Sequence, residues 1–430
     1  MPANGLLLIT PVIAGRESSL CESLNAFGNN ILGKHKRGGG AQVMIPFNRS
    51  RTLHFARLAL LDDPDRGPDR KRLLFATDFD GEWEVHAREI LSLTQDPLAL
   101  WGCCEGFIDS PDFQSFLRQH TVVPGAYYIA FRGDNWAELK SCTALRTWFQ
   151  ARLAEPKARH VFWALPDLLR IGTALRKGVD LVWGTLQTTY AVIMTVVEIF
   201  GLAHRFGWGD VIGAGKQIIA RMGRIPFLHF LNWLLRNSPM PALHTFSQAR
   251  VEPSAKVTPP GYPPEDEVHQ NQLTLVTDVR PDRLHRLEAV LAVIDLVARR
   301  LCPPGELAGI STIHTVRWAL LDGGKRLLMV SNYDGSWESY IDEFAEMIMS
   351  GLDALWSSAP DYPDAGAQDV AALKQFLRKH QVPANVFYSA YPTSTVLNFV
   401  DDLAFARWYG WAVRRMAANR PGCPTPPMTP

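Results

Sequence analysis

The chain has few cysteines for its length, and their spacing argues against a thiolate metal site. Six cysteines are scattered over 430 residues, none forms a C-x-x-C pair, and no histidine follows at zinc-finger spacing. Cys103 and Cys104 are adjacent, which places them poorly for a bridge with each other. The pattern therefore predicts reduced cysteines in a cytoplasmic setting.

Other common signals are also missing from the sequence. The N-terminus has neither a basic segment nor a long apolar run, so no secretory signal is evident. The net charge is only +1, which gives no overall attraction to nucleic acid. No stretch carries a complete catalytic signature. Function therefore has to be inferred from how the chain is organised.

The most informative feature of the sequence is an internal repeat. Lys71–Glu84 is KRLLFATDFDGEWE, and Lys325–Glu338 is KRLLMVSNYDGSWE. Each stretch combines an apolar run, an Asp-Gly turn and the acidic start of a helix. Four further blocks match in the same order: His54–Asp62 with His314–Asp322, Ala99–Trp101 with Ala354–Trp356, Phe116–His120 with Phe376–His380, and Ala126–Phe131 with Asn385–Tyr391. The spacing is that of whole domains, so the repeat predicts two similar domains and excludes a solenoid.

The hydrophobic periodicity predicts the same elements in each copy. Their order is strand, helix, strand, strand, helix, strand, followed by a closing helix. That order is typical of a ferredoxin-like module. The predicted fold is α+β, with two ferredoxin-like modules that form a pseudo-symmetric α+β barrel. The predicted boundaries are 1–155 for the first module, 156–250 for a helical insert, 251–272 for a Pro-rich linker, 273–418 for the second module and 419–430 for a disordered tail.

The insert between the copies differs from the modules in charge and hydropathy. Residues 157–250 contain eleven Lys or Arg and four Asp or Glu, so this segment has a net charge of +7. Leu181–Leu202 has Glu198 as its only charged residue, and Ile225–Leu235 is a second apolar run. Such segments suit a membrane interface, where apolar faces enter the acyl boundary and cations meet anionic headgroups. A helical cap buried by protein and a membrane span are the alternatives.

This layout resembles the dimeric α+β barrel superfamily, which includes dye-decolourising peroxidases, chlorite dismutases and cofactor-free monooxygenases. The resemblance is one of topology and covers both copies but not the insert. The peroxidases carry a G-x-x-D-G motif whose Asp serves peroxide cleavage beside an Arg. The nearest strings here are TDFDG, which contains Asp80, and SNYDG, which contains Asp334, and both lack the leading Gly. The resemblance implies haem as a cofactor and a catalytic role for one of these aspartates.

The aspartates and two arginines have structural alternatives as well. Asp80 and Asp334 each precede a predicted helix, where an Asp can accept hydrogen bonds from the first turn. Arg57 and Arg317 lie in the middle of a repeated strand, on an otherwise apolar face. A buried guanidinium needs a partner, and Asp78 or Asp80 is the expected one. The catalytic alternative is an Arg that stabilises a developing anion.

Four histidines are candidate haem ligands. His54 and His314 occupy equivalent positions in the two copies, which favours a packing or hydrogen-bonding role. His86 and His229 are not duplicated, and a functional difference between the copies is expected to depend on such residues. His86 falls where the second copy has Tyr340.

Together these features predict an enzyme that is cytoplasmic, peripherally bound to the lipid bilayer surface, and active on a lipophilic small molecule. The family resemblance adds a peroxidase-like oxidoreductase with haem as the specific expectation. The rival prediction is a non-catalytic barrel that binds an apolar ligand or a partner protein at the membrane surface. Nucleic acid is not expected as a partner.

Overall fold

A computed structural model describes residues 3–31, 44–132, 136–154, 194–219 and 269–419. Within these ranges the fold is mixed α+β. The first copy contains β1 (Ala3–Pro11), α1 (Glu17–Ile31), β2 (Leu53–Asp62), β3 (Lys71–Asp80), α2 (Trp83–Leu93), α3 (Pro97–Leu100), α4 (Phe113–His120), β4 (Ala126–Ile129) and α5 (Trp136–Ala154). The insert contributes α6 (Trp208–Ile219). The second copy contains β5 (Gln270–Asp278), α7 (Leu284–Arg300), β6 (Ile313–Leu321), β7 (Arg326–Asp334), α8 (Trp337–Trp356), α9 (Val370–His380), β8 (Val386–Ser389) and α10 (Val396–Asn419).

The described strands form two four-stranded antiparallel sheets that exchange their last strands. One sheet has the order β1-β3-β2-β8, and the other has the order β4-β6-β7-β5. Each copy therefore builds three strands of one sheet and contributes its fourth strand to the other. The predicted order of elements is confirmed, and β2 pairs with β3 in antiparallel orientation. The exchange of strands is not visible in the sequence pattern.

Neither sheet closes on itself within the described residues, but single bridges connect their edges. Leu8 of β1 pairs with Thr121, which precedes β4, and Leu275 of β5 pairs with Gln381, which precedes β8. In each case the next residue along the chain donates its backbone N–H to the opposite strand at 2.8 Å. The segment leading into each exchanged strand therefore contacts one sheet before the strand itself joins the other.

The alternation of side chains along the strands gives each sheet a helix-covered face and an inner face. On the outer face of the first sheet, Leu58 and Phe75 pack under α1, α2 and α4, with the rings of Phe75 and Trp101 edge to face at 5.3 Å. On the inner face, small and branched residues of both sheets form one shared apolar cluster, which includes Ala59 and Ala319. Polar residues on this inner face therefore lie next to a shared core.

The helix that the sequence predicts from Glu82 to about Leu100 is interrupted. α2 ends at Leu93, and the Asp96 carboxylate accepts two backbone N–H groups to begin α3. Pro97 occupies the first position of α3, where a helix needs no donor from the backbone. The prediction of one continuous helix is wrong because this cap and proline start a new one.

The predicted capping role of Asp80 and Asp334 is wrong for the helices that directly follow them. α2 begins after Glu82 without a side-chain capping bond, whereas Ser336 Oγ accepts a backbone N–H at 3.2 Å at the start of α8. Asp334 instead accepts the N–H of Val396 at 2.7 Å, and Val396 begins α10. Its carboxylate therefore ties the end of β7 to a helix much later in the chain.

The two Asp-Gly turns are equivalent, as the repeat predicts. Gly81 and Gly335 have φ angles of 96° and 84°, in the left-handed region that favours glycine. The carbonyl oxygen of each accepts a hydrogen bond from an asparagine on the first strand of its copy, from Asn4 at 2.6 Å and from Asn271 at 2.7 Å. The prediction that these turns have like surroundings is confirmed.

The chain divides into two compact units. The larger one comprises Met1–Ala137, Leu202–Met222 and Pro253–Val396, and the smaller one comprises Glu138–Gly201, Gly223–Glu252 and Leu397–Pro430. Within the smaller unit, Thr143 Oγ1 donates to Asp402 Oδ2 at 2.6 Å, and Arg146 Nε lies 2.7 Å from the other carboxylate oxygen. This buried carboxylate connects α5 with α10.

The described residues include only part of the predicted insert. That part contains a helical stretch, 194–206, followed by α6. Among the described residues, no helix is both long enough and apolar enough to cross a membrane. The apolar run Leu181–Leu202 lies largely outside those residues, and the run Ile225–Leu235, with His229, lies wholly outside them. The same holds for most of the predicted linker and for the tail beyond Asn419.

A substitution at Gly28 tests the packing of the exchanged strand. A Cβ at Gly28 in α1 would lie 1.9 Å from the backbone oxygen of Asn385, immediately before β8. We expect Gly28→Ala to destabilise the protein by about 1–3 kcal/mol, because backbone cannot yield as a side chain can. The matched control is Gly213→Ala in α6, where a Cβ meets nothing within 4 Å. The control should gain up to about 1 kcal/mol of helix propensity. Urea unfolding of both variants measures the difference, and equal stabilities would contradict the packing of α1 against β8.

Candidate functional site

Two buried arginines connect the sheets from opposite sides. Arg317 of β6 reaches across to the first sheet, where Nη1 donates to Leu6 O at 2.8 Å and Nη2 donates to Thr77 O at 3.2 Å. Nη2 also donates to Asp78 Oδ1 in a short ion pair. Burial alone lowers the pKa of the Arg317 guanidinium, but Asp78 and Tyr127 more than offset that effect and leave the pKa above its usual value. Arg317 is therefore a paired, charged residue.

Arg57 of β2 makes the mirror-image crossing, but without a carboxylate. Nη1 donates to Leu273 O and to Thr274 Oγ1, both at 2.8 Å, and Nη2 donates to Ser331 O at 2.6 Å. Its remaining partner is Asn332 Oδ1. The expectation that Arg57 pairs with Asp78 or Asp80 is wrong within the described residues. Burial lowers the pKa of Arg57 to about 9, which leaves it charged at neutral pH.

The difference between the two arginines originates in one pair of equivalent residues. Asp78 in the string TDFDG and Asn332 in the string SNYDG hold the same place in their copies. Asn332 Nδ2 donates to Asp78 Oδ2 at 3.0 Å and to Thr315 Oγ1 at 2.7 Å, and the hydroxyl of Tyr127 donates to Asp78 as well. The inner face between the sheets therefore holds two guanidinium groups and one carboxylate in a single hydrogen-bonded network.

A second polar group lies at the ends of β2 and β3. His54 Nε2 is 2.8 Å from Asp80 Oδ1, and the hydroxyl of Tyr391 makes a short hydrogen bond with His54 Nδ1. Because an ionised carboxylate can only accept, Nε2 carries the ring hydrogen and Nδ1 accepts from Tyr391. Tyr391 and His54 are 6% and 7% exposed. We refer to Tyr391, His54 and Asp80 as the tyrosine relay.

The equivalent position in the second copy lacks the tyrosine. His314 Nε2 is 2.7 Å from Asp334 Oδ1, so the His–Asp pair is duplicated. The backbone N–H of Ala390 donates to His54 O, and that of Ala130 donates to His314 O, both at 2.9 Å. The residues that follow these alanines, Tyr391 and Phe131, are therefore equivalent. Phe131 has no hydroxyl, so the residue equivalent to Tyr391 cannot make the corresponding hydrogen bond to His314.

Aromatic rings fill the space between the tyrosine relay and Arg57. The Phe55 ring lies 6.2 Å from Tyr391, 5.2 Å from His314 and 6.4 Å from Phe387, centroid to centroid. Arg57 Cζ lies 6.0 Å from the Phe387 centroid. The relay is thus bounded on this side by apolar, planar surfaces. Burial raises the pKa of Tyr391 well above its usual value, and Asp80 and Tyr388 add to the effect, so the phenol is protonated at neutral pH.

The described histidines do not suit the haem-ligand role that the sequence suggests for them. Both ring nitrogens of His54 have partners, and Nε2 of His314 is held by Asp334. His86 stacks on Phe79 at 3.7 Å with Nε2 2.9 Å from Thr77 Oγ1, and burial lowers its pKa to about 3. A haem iron needs an imidazole nitrogen with an open approach, which none of these three rings presents. His229 lies outside the described residues, so its predicted role stays a prediction.

The structure brings four of the predicted site residues into these two groups, namely Arg57, Arg317, His54 and Asp80, and it pairs two more, His314 and Asp334, at the equivalent place in the second copy. Tyr391 and Asn332 are not among the residues predicted from the sequence. Both would have been visible as mismatches within the matched blocks, where the first copy has Phe131 and Asp78. Among the described residues, no group of three or more His, Cys, Asp or Glu could hold a metal ion. Comparison with family models, curated proteins and solved structures gives no match.

The unequal partners of the two arginines predict unequal effects of removing them. Arg317→Met leaves the Asp78 carboxylate buried without its cation, which should lower the free energy of unfolding by about 3–5 kcal/mol. Arg57→Met leaves only neutral acceptors without a donor, and we expect a loss of about 1–3 kcal/mol. Urea unfolding of both variants measures the two losses. Equal losses would show that the Arg317–Asp78 charge pair has no special weight.

Proposed function

We propose that the chain is an enzyme that transfers a proton from a lipophilic substrate at a membrane surface, with the tyrosine relay as its reacting group. The observation that carries this proposal is the hydrogen-bonded order Tyr391, His54, Asp80, at a place where the other copy has Phe131 in the position of Tyr391. A duplicated His–Asp pair alone can be explained by structure. A tyrosine at one of two equivalent positions, with its hydroxyl on the histidine, supports a chemical role.

The proposed reaction follows from the hydrogen positions in the relay. The hydroxyl of Tyr391 donates its hydrogen to His54 Nδ1. When the phenol oxygen takes a proton from a substrate C–H or O–H group, the phenol hydrogen passes to Nδ1. The substrate becomes an anion, and the imidazolium is stabilised by Asp80, as in other hydroxyl–His–carboxylate systems. Phe55 beside Tyr391 favours an apolar, planar substrate.

The barrel predicted from the sequence fits this proposal as its scaffold. The bridges of Leu8 with Thr121 and of Leu275 with Gln381 connect each sheet edge to the segment that enters the other sheet. Two sheets joined at both edges would form a closed α+β barrel whose interior contains the two arginines. We propose this closure as the architecture, with the relay at one end of the strands.

Solvent deuterium exchange tests the reaction without knowledge of the natural substrate. Purified protein in D₂O is mixed with a panel of lipophilic ketones that have acidic α-hydrogens, and deuterium incorporation is followed by NMR. We expect the protein to accelerate exchange of at least one ketone. Tyr391→Phe should lower that rate by about 100-fold or more, since general acid–base catalysis is worth roughly 10²–10⁴-fold.

The control for this test is Tyr388→Phe, on the strand β8 that precedes Tyr391. Tyr388 packs on Phe47 at 5.5 Å and belongs to the outer face, and its hydroxyl makes no hydrogen bond to the relay among the described residues. The variant should exchange ketones as the wild type does. If no ketone exchanges faster than with heat-denatured protein, or if Tyr391→Phe is as active as Tyr388→Phe, the rival function, a non-catalytic barrel that binds an apolar ligand, is favoured instead.

Contact with the lipid surface is supported by the described part of the insert. Trp208 and Ile212 lie one helical turn apart on α6, and each is 49% exposed. Lys216 follows on the same face after one more turn, and Arg205 precedes the helix. α6 also has a buried side, with Val211 and Ala214. An exposed tryptophan and isoleucine flanked by cations suit the interface of an anionic bilayer.

Vesicle binding tests the lipid contact. We expect the full-length protein to sediment with anionic vesicles, and the double variant Trp208→Ser/Ile212→Ser to bind at least tenfold more weakly, because it removes two large apolar side chains from the interface. The matched control is Val123→Ser, which removes an apolar residue that is 82% exposed elsewhere. Binding that is equally weak in both variants, or absent in the wild type, contradicts the proposal.

A further inference from the structure

The charge between the two sheets is unbalanced in a way that bears on the tyrosine relay. Arg317 has a carboxylate partner, Asp78, whereas Arg57 has the neutral Asn332 in the equivalent place. All of the hydrogen-bond acceptors of Arg57 are neutral groups. The network therefore satisfies the donors of Arg57 but leaves one positive charge uncompensated in a buried position. A buried charge without a counter-ion is costly, so its persistence calls for a reason.

We propose that Asn332 keeps the charge of Arg57 uncompensated so that it stabilises an anion formed beside Tyr391, and that the substrate is a lipophilic carbon acid or phenol that leaves as an anion. This inference rests on the proposed function. It adds the class of substrate, and it adds Asn332 as the residue that controls the electrostatic effect of Arg57. Arg57 does not touch the reacting atoms. It acts through space as an electrostatic residue, and Asn332 determines how strongly it acts.

The distances permit such an effect. Arg57 and His54 are three residues apart on β2, which places their α-carbons about 10 Å apart along an extended strand. The intervening rings of Phe387 and Phe55 are apolar and screen the charge poorly. At that separation and with an effective dielectric constant of about 20, a unit charge shifts an ionisation by on the order of one pKa unit.

The other charged and titratable groups near the phenol do not supply this stabilisation. His54 becomes a cation in the proposed step, but Asp80 beside it makes that pair neutral as a whole, and Asp80 and Tyr388 both oppose a negative charge on the phenol oxygen. His314, behind Phe55, is held by Asp334. The pair of Arg317 and Asp78 is neutral as a whole. Arg57 is therefore the cation left to favour an anion at this place among the described residues.

Two substitutions that change the network in opposite directions provide the test. Asn332→Asp gives Arg57 the carboxylate that Arg317 already has, and Asp78→Asn removes the carboxylate from Arg317. Difluorotyrosine is incorporated at position 391, because its hydroxyl ionises at lower pH than that of tyrosine, and fluorine NMR follows its titration. We expect the midpoint to rise by about one pKa unit in Asn332→Asp and to fall by a similar amount in Asp78→Asn.

The control is Gln119→Glu, which adds a carboxylate at an exposed position where solvent screens it. Its midpoint should equal that of the wild type. Equal midpoints in all four proteins, or a hydroxyl that stays protonated in all of them up to the alkaline limit of folding, would overturn the inference. If one of the variants Asn332→Asp and Asp78→Asn fails to fold, the direction in which the midpoint shifts in the other one still tests the inference. Opposite shifts without any ketone exchange would uphold the electrostatic inference while refuting the proposed function.

Discussion

The fold depends on burying two guanidinium groups between its two sheets. Each arginine extends from the middle of a strand in one sheet to backbone oxygens of the other, so the sheets cannot separate without breaking these hydrogen bonds. Arg57 and Arg317 are each 1% exposed. An apolar contact would tolerate sliding, whereas these hydrogen bonds specify which residues lie opposite each other. The small residues around them, such as Ala59 and Ala319, leave the space that a long side chain needs.

Local features of the fold follow from the sequence, and the long-range exchange does not. Alternation and turn residues predicted nearly every strand, and the Asp-Gly pairs predicted equivalent turns at Gly81 and Gly335. Nothing in Ala126–Ile129 distinguishes a strand that stays with its own copy from one that crosses over, because its alternating side chains suit either sheet edge. The helix after Glu82 was predicted too long because the hydrophobic pattern continues past a cap at Asp96.

The candidate site, like the fold, is predictable from the sequence only in its local features. The burial of Arg57 and Arg317 and the hydrogen-bonding role of His54 and His314 could be predicted, since a polar residue in an apolar strand has to find a partner. Which partner it finds depends on the opposite sheet, so the expected ion pair with Asp78 forms at Arg317 and not at Arg57. Tyr391 was missed for a related reason. Tyr391 follows β8 of the second copy, yet its hydroxyl bonds to His54 of the first copy, and no pattern within either copy predicts that contact.

Duplication within one chain gives a simple account of how such a site can arise. In a symmetric pair of modules, any change at one position is made twice, so Arg57 and Arg317 would have to keep identical partners. Fusing the modules removes that constraint. Asp78 can pair with one arginine while Asn332 leaves the other without a carboxylate, and Tyr391 can carry a hydroxyl that Phe131 lacks. The Arg317–Asp78 ion pair joins the two copies, whereas the equivalent pair of Arg57 and Asn332 has no carboxylate. The exchanged strand β8 lies beside β2, so Tyr391 meets His54 near the end of the strand that contains Arg57. The two differences between the copies, at Tyr391 and at Asn332, therefore both involve partners on β2.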